Sequence, residues 1–190
     1  MRKNIAIFAS GSGSNAEKII LHFNAKNTAQ VVCVFSNKSE AYALNRAKKH
    51  NIPTQFFPFK EWRTPTNIIQ KLKDFNVDYI VLAGFLLKVP QALIHLYPNR
   101  IINIHPALLP KYGGKGMYGE NVHKAVIEAK EKESGITIHF IDEDYDKGTT
   151  IFQAKCKVLP TDTPESLAEK IHKLEHQYYP KTIEEVIISE

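Results

Sequence analysis

The first hundred residues alternate short, continuous apolar runs with longer segments in which apolar residues recur at helical spacing. Continuous apolar runs separated by helices indicate strands that are buried on both faces of a parallel sheet. The apolar runs predict strands at residues 4–9, 30–35, 54–57, 78–83 and 100–104. The periodic segments predict helices at residues 15–23, 40–50 and 65–75. This order is typical of a doubly wound, Rossmann-type unit.

The second half of the chain changes character. Residues 135–141 and 149–158 have strand-like patterns with only an acidic loop between them. Such a loop is too short for a parallel crossover, so we expect these strands to pair antiparallel. A last helix is expected to begin within residues 162–165, where an N-cap residue precedes a proline. The predicted fold is α/β: a Rossmann-like, mixed, mostly parallel sheet with helices on both faces and an antiparallel C-terminal strand pair, in a single domain of residues 1–190.

Composition narrows the class of protein without naming its ligand. The chain has 190 residues and a net charge of +5, which favours anionic partners. Cys33 and Cys156 are too few and too far apart for a disulfide framework or a four-ligand zinc site. The longest apolar run, residues 79–87, is much shorter than the roughly 20 residues of a membrane span. The apolar segment at residues 5–9 is also shorter than that of an export signal, so we expect a cytoplasmic protein.

A glycine-rich loop at residues 10–15 lies between the first predicted strand and the first predicted helix. Gly11, Gly13 and Ala16 satisfy the G-x-G-x-x-A spacing of a dinucleotide site, which also requires an acidic residue about 20 positions further on. Residues 36–38 are Ser, Asn and Lys, a poor match to that requirement. Free backbone N–H groups at a helix N-terminus, together with Ser and Asn side chains, favour a single phosphate. A dinucleotide site and a plain capped turn are the alternatives.

The segment from residue 100 to 106 carries the most informative pair of side chains. Asn103 and His105 are two residues apart on a predicted strand and therefore point to the same face, and Pro106 ends the strand. In open α/β sheets, ligands bind at the carboxyl ends of the strands. Asn103 can stabilise a developing oxyanion while His105 donates a proton or adds charge, which suits acyl chemistry. A cap that satisfies backbone groups at the strand end is the alternative.

An acidic loop at residues 141–148 contains the pattern D-x-D-x-D but does not match a calcium-binding EF-hand. Lys147 stands at the sixth position, where an EF-hand has glycine, and Gln153 at the twelfth, where it has glutamate. One hypothesis is that a carboxylate of this loop lies against His105 and shifts its titration. The alternative is that the loop is a solvated acidic turn.

The terminal helix contains His172, Glu175 and His176 in the H-x-x-E-H pattern of some zinc proteases. Two histidines four residues apart share a helix face, but the sequence singles out no third ligand. We favour a contact of Glu175 with a polar substrate, or a plain amphipathic surface, and keep a zinc site as the alternative.

Several motifs occur together in an order that resembles the phosphoribosylglycinamide formyltransferase family, folate-dependent enzymes of purine synthesis. The resemblance covers essentially the whole chain, and its most specific stretch is residues 102–112. The other matching segments are residues 10–15, 34–38, 82–85, 135–140, 146–148 and 174–176. Several ordered matches in one chain are far more specific than a single one, which favours the functional interpretation of each motif.

The resemblance implies that a formyl group passes from 10-formyltetrahydrofolate, a co-substrate, to the amine of N1-(5-phosphoribosyl)glycinamide, with no metal ion. The family's catalytic asparagine, histidine and aspartate correspond to Asn103, His105 and Asp146, with Asp146 orienting the imidazole. The ribonucleotide substrate is expected at residues of the glycine loop and the terminal helix: Gly11, Gly13, Ser14, Asn15 and Glu175.

The same resemblance implies a folate site on one segment, with Arg63 and Asn103 as further contacts. That segment consists of Leu86, Leu87, Lys88 and Val89. The chain departs from the family where Leu87 replaces a frequent basic residue and Lys147 replaces a common glycine. Residues 111–120 are lengthened by glycines and are interpreted as a mobile loop that covers the substrate.

Related enzymes and a non-enzyme are the alternatives to this function. Formyltetrahydrofolate hydrolase carries an added N-terminal domain and methionyl-tRNA formyltransferase an added C-terminal RNA-binding domain, and we expect neither within 190 residues. A nucleotide sensor without catalysis has no need of Asn103, His105 and Asp146 together. We therefore expect small-molecule substrates, no nucleic acid and no membrane as partners, and a monomer or homodimer.

Overall fold

A computed structural model describes residues 2–144 and 146–189. Its strands are β1 (Lys3–Phe8), β2 (Ala29–Ser36), β3 (Thr54–Phe56), β4 (Tyr79–Leu82), β5 (Ile101–His105), β6 (Glu133–Phe140) and β7 (Thr150–Lys157). They form one sheet in the order β3-β2-β1-β4-β5-β6-β7. The first five strands are parallel, β6 pairs antiparallel with β5, and β7 pairs antiparallel with β6. This confirms the predicted mixed sheet and its antiparallel C-terminal pair.

Seven helices in the described part of the chain connect these strands. They are α1 (Ser14–Lys26), α2 (Tyr42–Lys49), α3 (Phe59–Arg63), α4 (Thr66–Asp74), α5 (Gln91–Leu96), α6 (Glu120–Glu128) and α7 (Pro164–Ile188). The sequence pattern did not predict α3, α5 and α6, which begin after Pro58, Pro90 and Gly119 and have between five and nine residues. Helices α3 and α5 have five and six residues, so they contain too few turns to establish a helical period. None of the helices described here is long and apolar enough to cross a membrane.

Apolar clusters cover both faces of the sheet. Along β1, Ile5 and Ile7 belong to one cluster, whereas Ala6 and Phe8 belong to the other, as the alternation of a strand requires. Helices α1, α2, α6 and α7 contribute to the first cluster, and α3, α4 and α5 contribute to the second. Burial on both faces explains why the central strands are continuously apolar.

Helix α7 is joined to the two central strands by a buried tyrosine. The side chain of Thr163 caps this helix by accepting from the Ser166 N–H. The hydroxyl of Tyr179 lies 3.0 Å from the carbonyl oxygens of both Leu82 and Ile102. Because Glu175 lies one turn before Tyr179, this contact fixes where Glu175 stands relative to the ends of β4 and β5.

Candidate active site

A cavity of about 490 Å³ opens at the carboxyl ends of β1, β4 and β5, where ligands bind in open α/β sheets. Its lining comes from the glycine loop, the segment after β4 and the end of β5. The acidic loop, a glycine-rich loop before α6 and helix α7 also line it. The described lining residues fall in the segments 11–15, 82–89, 103–106 and 114–119, together with Ile141, Asp142, Asp144, Asp146, His123, His172 and Glu175.

Asn103 is held in one orientation by a buried histidine on the neighbouring strand. The register of β5 and β6 sets Asn103 opposite His139, and Asn103 Nδ2 is 3.1 Å from His139 Nε2. His139 Nδ1 is 2.9 Å from the carbonyl oxygen of Phe140, which only accepts, so Nδ1 carries the proton. Burial lowers the pKa of His139 and favours its neutral form. The neutral Nε2 therefore accepts from the Asn103 amide, and the second amide N–H stays available for a ligand.

His105 lies between a backbone carbonyl and a carboxylate and is only 4% exposed. Its Nε2 atom is 2.7 Å from the carbonyl oxygen of Tyr112, so Nε2 is the donor in that hydrogen bond. Its Nδ1 atom lies 3.7 Å from Asp146 Oδ2, at ion-pair distance. A protonated imidazole at this position is attracted by the carboxylate. The imidazole of His105 is therefore held between these two groups at the end of β5.

Asp146 joins the acidic loop to the rest of this cluster. Its backbone φ of 54° lies in the left-handed region, which Asp tolerates better than most residues. Its Oδ2 atom accepts from the Gly114 N–H at 2.8 Å, and its Oδ1 atom lies 3.8 Å from His139 Nε2. One carboxylate thus faces two histidines, and the structure brings Asn103, His105 and Asp146 into one cluster.

The glycine loop offers backbone N–H groups to the cavity at the N-terminus of α1. Gly13 has a φ of 73°, and a Cβ at this residue would lie 2.4 Å from Ala43 Cα, so only glycine fits. Helix α1 begins at Ser14, and the N–H groups of its first turn have no partners within the helix. Gly11, Gly13, Ser14 and Asn15 all line the cavity, in an arrangement suited to an anion.

Glu175 and Asn15 form a buried polar pair at the α7 side of the cavity. Asn15 Nδ2 donates to Glu175 Oε2 at 2.8 Å. Burial raises the pKa of Glu175, while the Asn15 hydrogen bond and nearby His172 oppose that rise. Asn15 Oδ1 is buried without a hydrogen-bond partner in the described part of the chain. This pair therefore offers acceptor oxygens to a ligand that carries hydroxyl or amino groups.

The chain is similar to one protein family and to curated members of it. A family model described as Formyl transferase matches residues 3–183. The chain belongs to the formyl transferase family. It is 40% identical over 190 residues to the chloroplastic phosphoribosylglycinamide formyltransferase of Arabidopsis thaliana, covering 96% of this chain and 64% of the relative. It is 36% identical over 186 residues to the phosphoribosylglycinamide formyltransferase of Haemophilus influenzae, covering 95% of this chain and 85% of that protein. The chain thus spans less than two thirds of the plant relatives it matches.

Solved structures support the same family. The phosphoribosylglycinamide formyltransferase of Bacillus halodurans has a TM-score of 0.89 at 36% identity, covering 97% of this chain and 95% of that one. Glycinamide ribonucleotide transformylase 1 of Symbiobacterium toebii has a TM-score of 0.91 at 30% identity, covering 99% and 89%. The Rossmann-like fold predicted from the sequence is confirmed.

The segment expected to contact folate lines the cavity of this formyl transferase, whereas the arginine expected beside it does not. Leu86, Leu87, Lys88 and Val89 are all lining residues. Arg63 is exposed at the end of α3 and is not among the described lining residues. Its neighbour Trp62 donates from Nε1 to the carbonyl oxygen of Lys88 at 2.7 Å. Helix α3 therefore holds the segment 86–89 in place through this hydrogen bond.

Three residues of the site were not singled out from the sequence. His139 lay inside a matching segment, but its contact with Asn103 depends on the register between β5 and β6. Tyr112 contributes a carbonyl group, which no side-chain pattern reveals. His123 lines the cavity from α6, its Nδ1 atom is buried without a partner in the described residues, and burial together with His172 lowers its pKa. The isolated polar residue in the apolar face of α6 was the available signal for His123.

The histidines of α7 do not form a metal centre with other described residues. The rings of His172 and His176 are stacked with centroids 6.3 Å apart. Residues 2–144 and 146–189 contain no group of three or more His, Cys, Asp or Glu side chains that could hold a metal ion. His172 instead faces the cavity beside Glu175.

Proposed function

We propose that this formyl transferase transfers the formyl group of 10-formyltetrahydrofolate to the amine of N1-(5-phosphoribosyl)glycinamide. The products are formylglycinamide ribonucleotide and tetrahydrofolate, in de novo purine biosynthesis. The observation that carries the proposal is the cluster of Asn103, His105 and Asp146 in the cavity that the glycine loop also lines. An oxyanion site and an anion-binding loop in one cavity suit an acyl transfer to a phosphorylated amine.

The proposed chemistry is attack of the substrate amine on the formyl carbon. A C–N bond forms, the carbonyl oxygen becomes an oxyanion, and the free N–H of Asn103 together with protonated His105 stabilises it. When the intermediate collapses, the bond from the formyl carbon to folate N10 breaks and N10 gains a proton. The attacking amine loses a proton, which the proposal assigns to Asp146 and His105 as acid–base groups.

Each substrate has its own part of the cavity in this proposal. The ribonucleotide phosphate binds the N–H groups at residues 11–15, and Glu175 contacts the polar part of the same substrate. The folate lies against Leu86, Leu87 and Val89, which supply an apolar wall. The formyl group then meets the amine at the end of β5.

The test is release of tetrahydrofolate with and without glycinamide ribonucleotide. The proposal predicts release that depends on the ribonucleotide and is unaffected by a chelator. Turnover of the folate without the acceptor would identify a hydrolase and contradict the proposal. Ribonucleotide binding without turnover would identify a sensor, and loss of activity together with a stoichiometric zinc ion would contradict a metal-free reaction.

The remaining expectations about partners belong to the same proposal. Small molecules are the proposed substrates, and we expect neither nucleic acid nor a membrane as a partner. A monomer or homodimer stays a prediction. A cytoplasmic location also stays a prediction, since the two plant relatives carry the word chloroplastic in their names.

A further inference from the structure

Helix α2 binds two carbonyl groups of the glycine loop. The N–H of Ala43, in the first turn of α2, donates to the carbonyl oxygen of Gly11 at 3.1 Å. One turn further along the helix, Arg46 Nε donates to the carbonyl oxygen of Ser12 at 2.9 Å. Two consecutive carbonyl groups of the loop therefore point towards α2.

These two contacts determine where the N–H groups of the loop point. The Gly11 carbonyl shares a peptide unit with the Ser12 N–H, and the Ser12 carbonyl shares one with the Gly13 N–H. Both units are trans, because the cis peptide found in the described residues joins Leu109 to Pro110. In a trans unit the C=O and N–H bonds point in opposite directions, so both N–H groups point away from α2.

The N–H groups so oriented are available to a ligand. Ser12 and Gly13 line the cavity, and no acceptor in residues 2–144 and 146–189 takes their N–H groups. Gly13 also packs directly against Ala43, so the loop has no room to rotate towards α2. Rotation of either peptide unit would turn a carbonyl oxygen, and therefore a partial negative charge, towards a bound anion.

Arg46 is itself held in place from two sides. Its guanidinium forms an ion pair with Glu17 on α1, and its Cζ atom lies 5.0 Å from the ring centroid of Tyr42. Burial opposes the charge of Glu17, yet Arg46 and His50 lower the pKa of that carboxyl group. Glu17 is therefore charged near neutral pH, and the pair orients the Nε–H towards Ser12.

We propose that Arg46 is a positioning residue that holds the glycine loop in its anion-binding conformation from outside the cavity. This inference rests on the proposed function, because it assigns the loop to the ribonucleotide phosphate. Arg46 is not among the described lining residues, so its effect passes through the carbonyl group of Ser12. Its loss weakens binding of the phosphorylated substrate and leaves the reacting groups in place.

The test compares Arg46→Met with three other variants. Arg46→Met keeps an apolar stem and removes the donors, and its KM for the ribonucleotide is expected to rise about tenfold, as loss of one charge-assisted hydrogen bond implies. The kcat and the KM for the folate are expected to stay within about twofold. Arg46→Lys, which keeps a charge and a donor, is expected to restore part of the affinity, with a KM about threefold above wild type.

Two controls separate positioning from charge. Glu17→Gln removes the ion pair but leaves the Nε–H and Ser12 carbonyl, and Lys49→Met removes a positive charge on α2 that contacts Tyr42 instead of the loop. Lys49→Met is expected to stay within about twofold of wild type. Glu17→Gln is expected to raise the KM by less than Arg46→Met does, because it weakens the orientation of Arg46 but keeps the donor. A rise in KM of equal size in Lys49→Met would overturn the inference, because it would show a general charge effect.

A binding measurement separates this inference from the proposed function. Calorimetric binding of ribose 5-phosphate is expected to weaken about tenfold in Arg46→Met, whether or not the protein transfers formyl groups. Wild-type affinity and wild-type KM in Arg46→Met would overturn the inference, whereas a wild-type chain without acceptor-dependent turnover would overturn only the proposed function. If Arg46→Met does not fold, Arg46→Lys carries the test, and an unchanged KM there is the contradictory result.

Discussion

A carboxylate from a different loop faces the Nδ1 atom of His105. Asp146 approaches His105 to 3.7 Å while its Oδ2 atom also accepts from the Gly114 N–H. The imidazole has no other described carboxylate at ion-pair distance. The charge of Asp146, more than its shape, is therefore the property on which the proposed catalysis depends.

Asp146→Asn tests this dependence, because the amide keeps the shape and an oxygen for the Gly114 N–H but removes the charge. We expect kcat to fall by roughly 10²–10⁴-fold, the usual contribution of an acid–base group. Steady-state kinetics with both substrates measures this loss. Glu143→Gln is the matched control, since Glu143 lies in the same loop but contacts the exposed residues Gln91 and His95, and near-normal kcat is expected. Near-normal kcat in Asp146→Asn would contradict the role of Asp146.

The buried carboxyl group of Glu175 serves substrate binding in the proposed function but lowers the stability of the fold when it is charged. Glu175 as a whole is 7% exposed, and burial raises the pKa of its carboxyl group. A carboxyl group with a raised pKa in the folded state favours folding when protonated, and this contribution is lost as the pH rises through the folded pKa. Raising the pH above the ordinary glutamate pKa therefore lowers the stability of the wild-type protein through this residue.

Glu175→Gln is expected to unfold at a higher temperature than wild type at pH 8, and the difference should shrink as the pH falls towards 4.5, the ordinary glutamate value. The KM for the ribonucleotide should rise in the same variant. Thermal unfolding between pH 4.5 and 8.5 measures the effect. A variant less stable than wild type at pH 8 would contradict this account.

Glu184 on the same helix provides a control of opposite sign. Burial opposes its charge, but hydrogen bonds from Thr28 and His22 lower its pKa. A lowered pKa stabilises the fold above the unfolded-state pKa, and the contribution is lost as the pH falls through the folded pKa. Glu184→Gln is therefore expected to be less stable than wild type at pH 8 and to approach it at low pH.

The glycine loop packs closely against helix α2 and is hydrogen-bonded to it. A Cβ on Gly13 would lie 2.4 Å from Ala43 Cα, whereas a Cβ on Gly11 would meet nothing within 4 Å. The two glycines of the G-x-G pattern thus serve different purposes. Gly13 permits close packing of α2, and Gly11 contributes a carbonyl group to it.

Gly13→Ala is expected to lower the free energy of unfolding by about 2–4 kcal/mol, because it adds left-handed strain and a clash with backbone. Gly11→Ala is the matched stability control, with an expected change within about 0.5 kcal/mol. Chemical denaturation of both variants measures the difference. Equal losses of stability in the two variants would contradict the packing argument.

Elements with a long or continuous pattern were predictable from the sequence. Strand β5 carries Asn103 and His105 on one face, as residues two apart on a strand must be. The short helices α3, α5 and α6 were not predictable, because the contacts that stabilise them come from distant parts of the chain. Trp62 of α3, for example, is buried against Phe85 and donates to Lys88.

The site as a whole depends on how distant segments meet. The glycine loop, the end of β5 and Glu175 were all found from spacing or resemblance. The contacts that orient these groups could not be predicted. Asn15 contacts Glu175 because α7 packs against α1, and Arg46 contacts Ser12 because α2 packs against α1. Sequence patterns identify the reacting groups, and tertiary contacts determine their geometry.

One cavity of about 490 Å³ brings together the glycine loop, the segment 86–89 and the end of β5, which the proposed function assigns to the phosphate, the folate and the oxyanion. The account therefore requires that the formyl carbon leave the folate and appear on the ribonucleotide amine. Folate that carries a ¹³C-labelled formyl group tests this directly when the products are separated by mass. The account predicts one labelled formylglycinamide ribonucleotide for each tetrahydrofolate released. Label recovered as free formate, with the ribonucleotide unchanged, would contradict it.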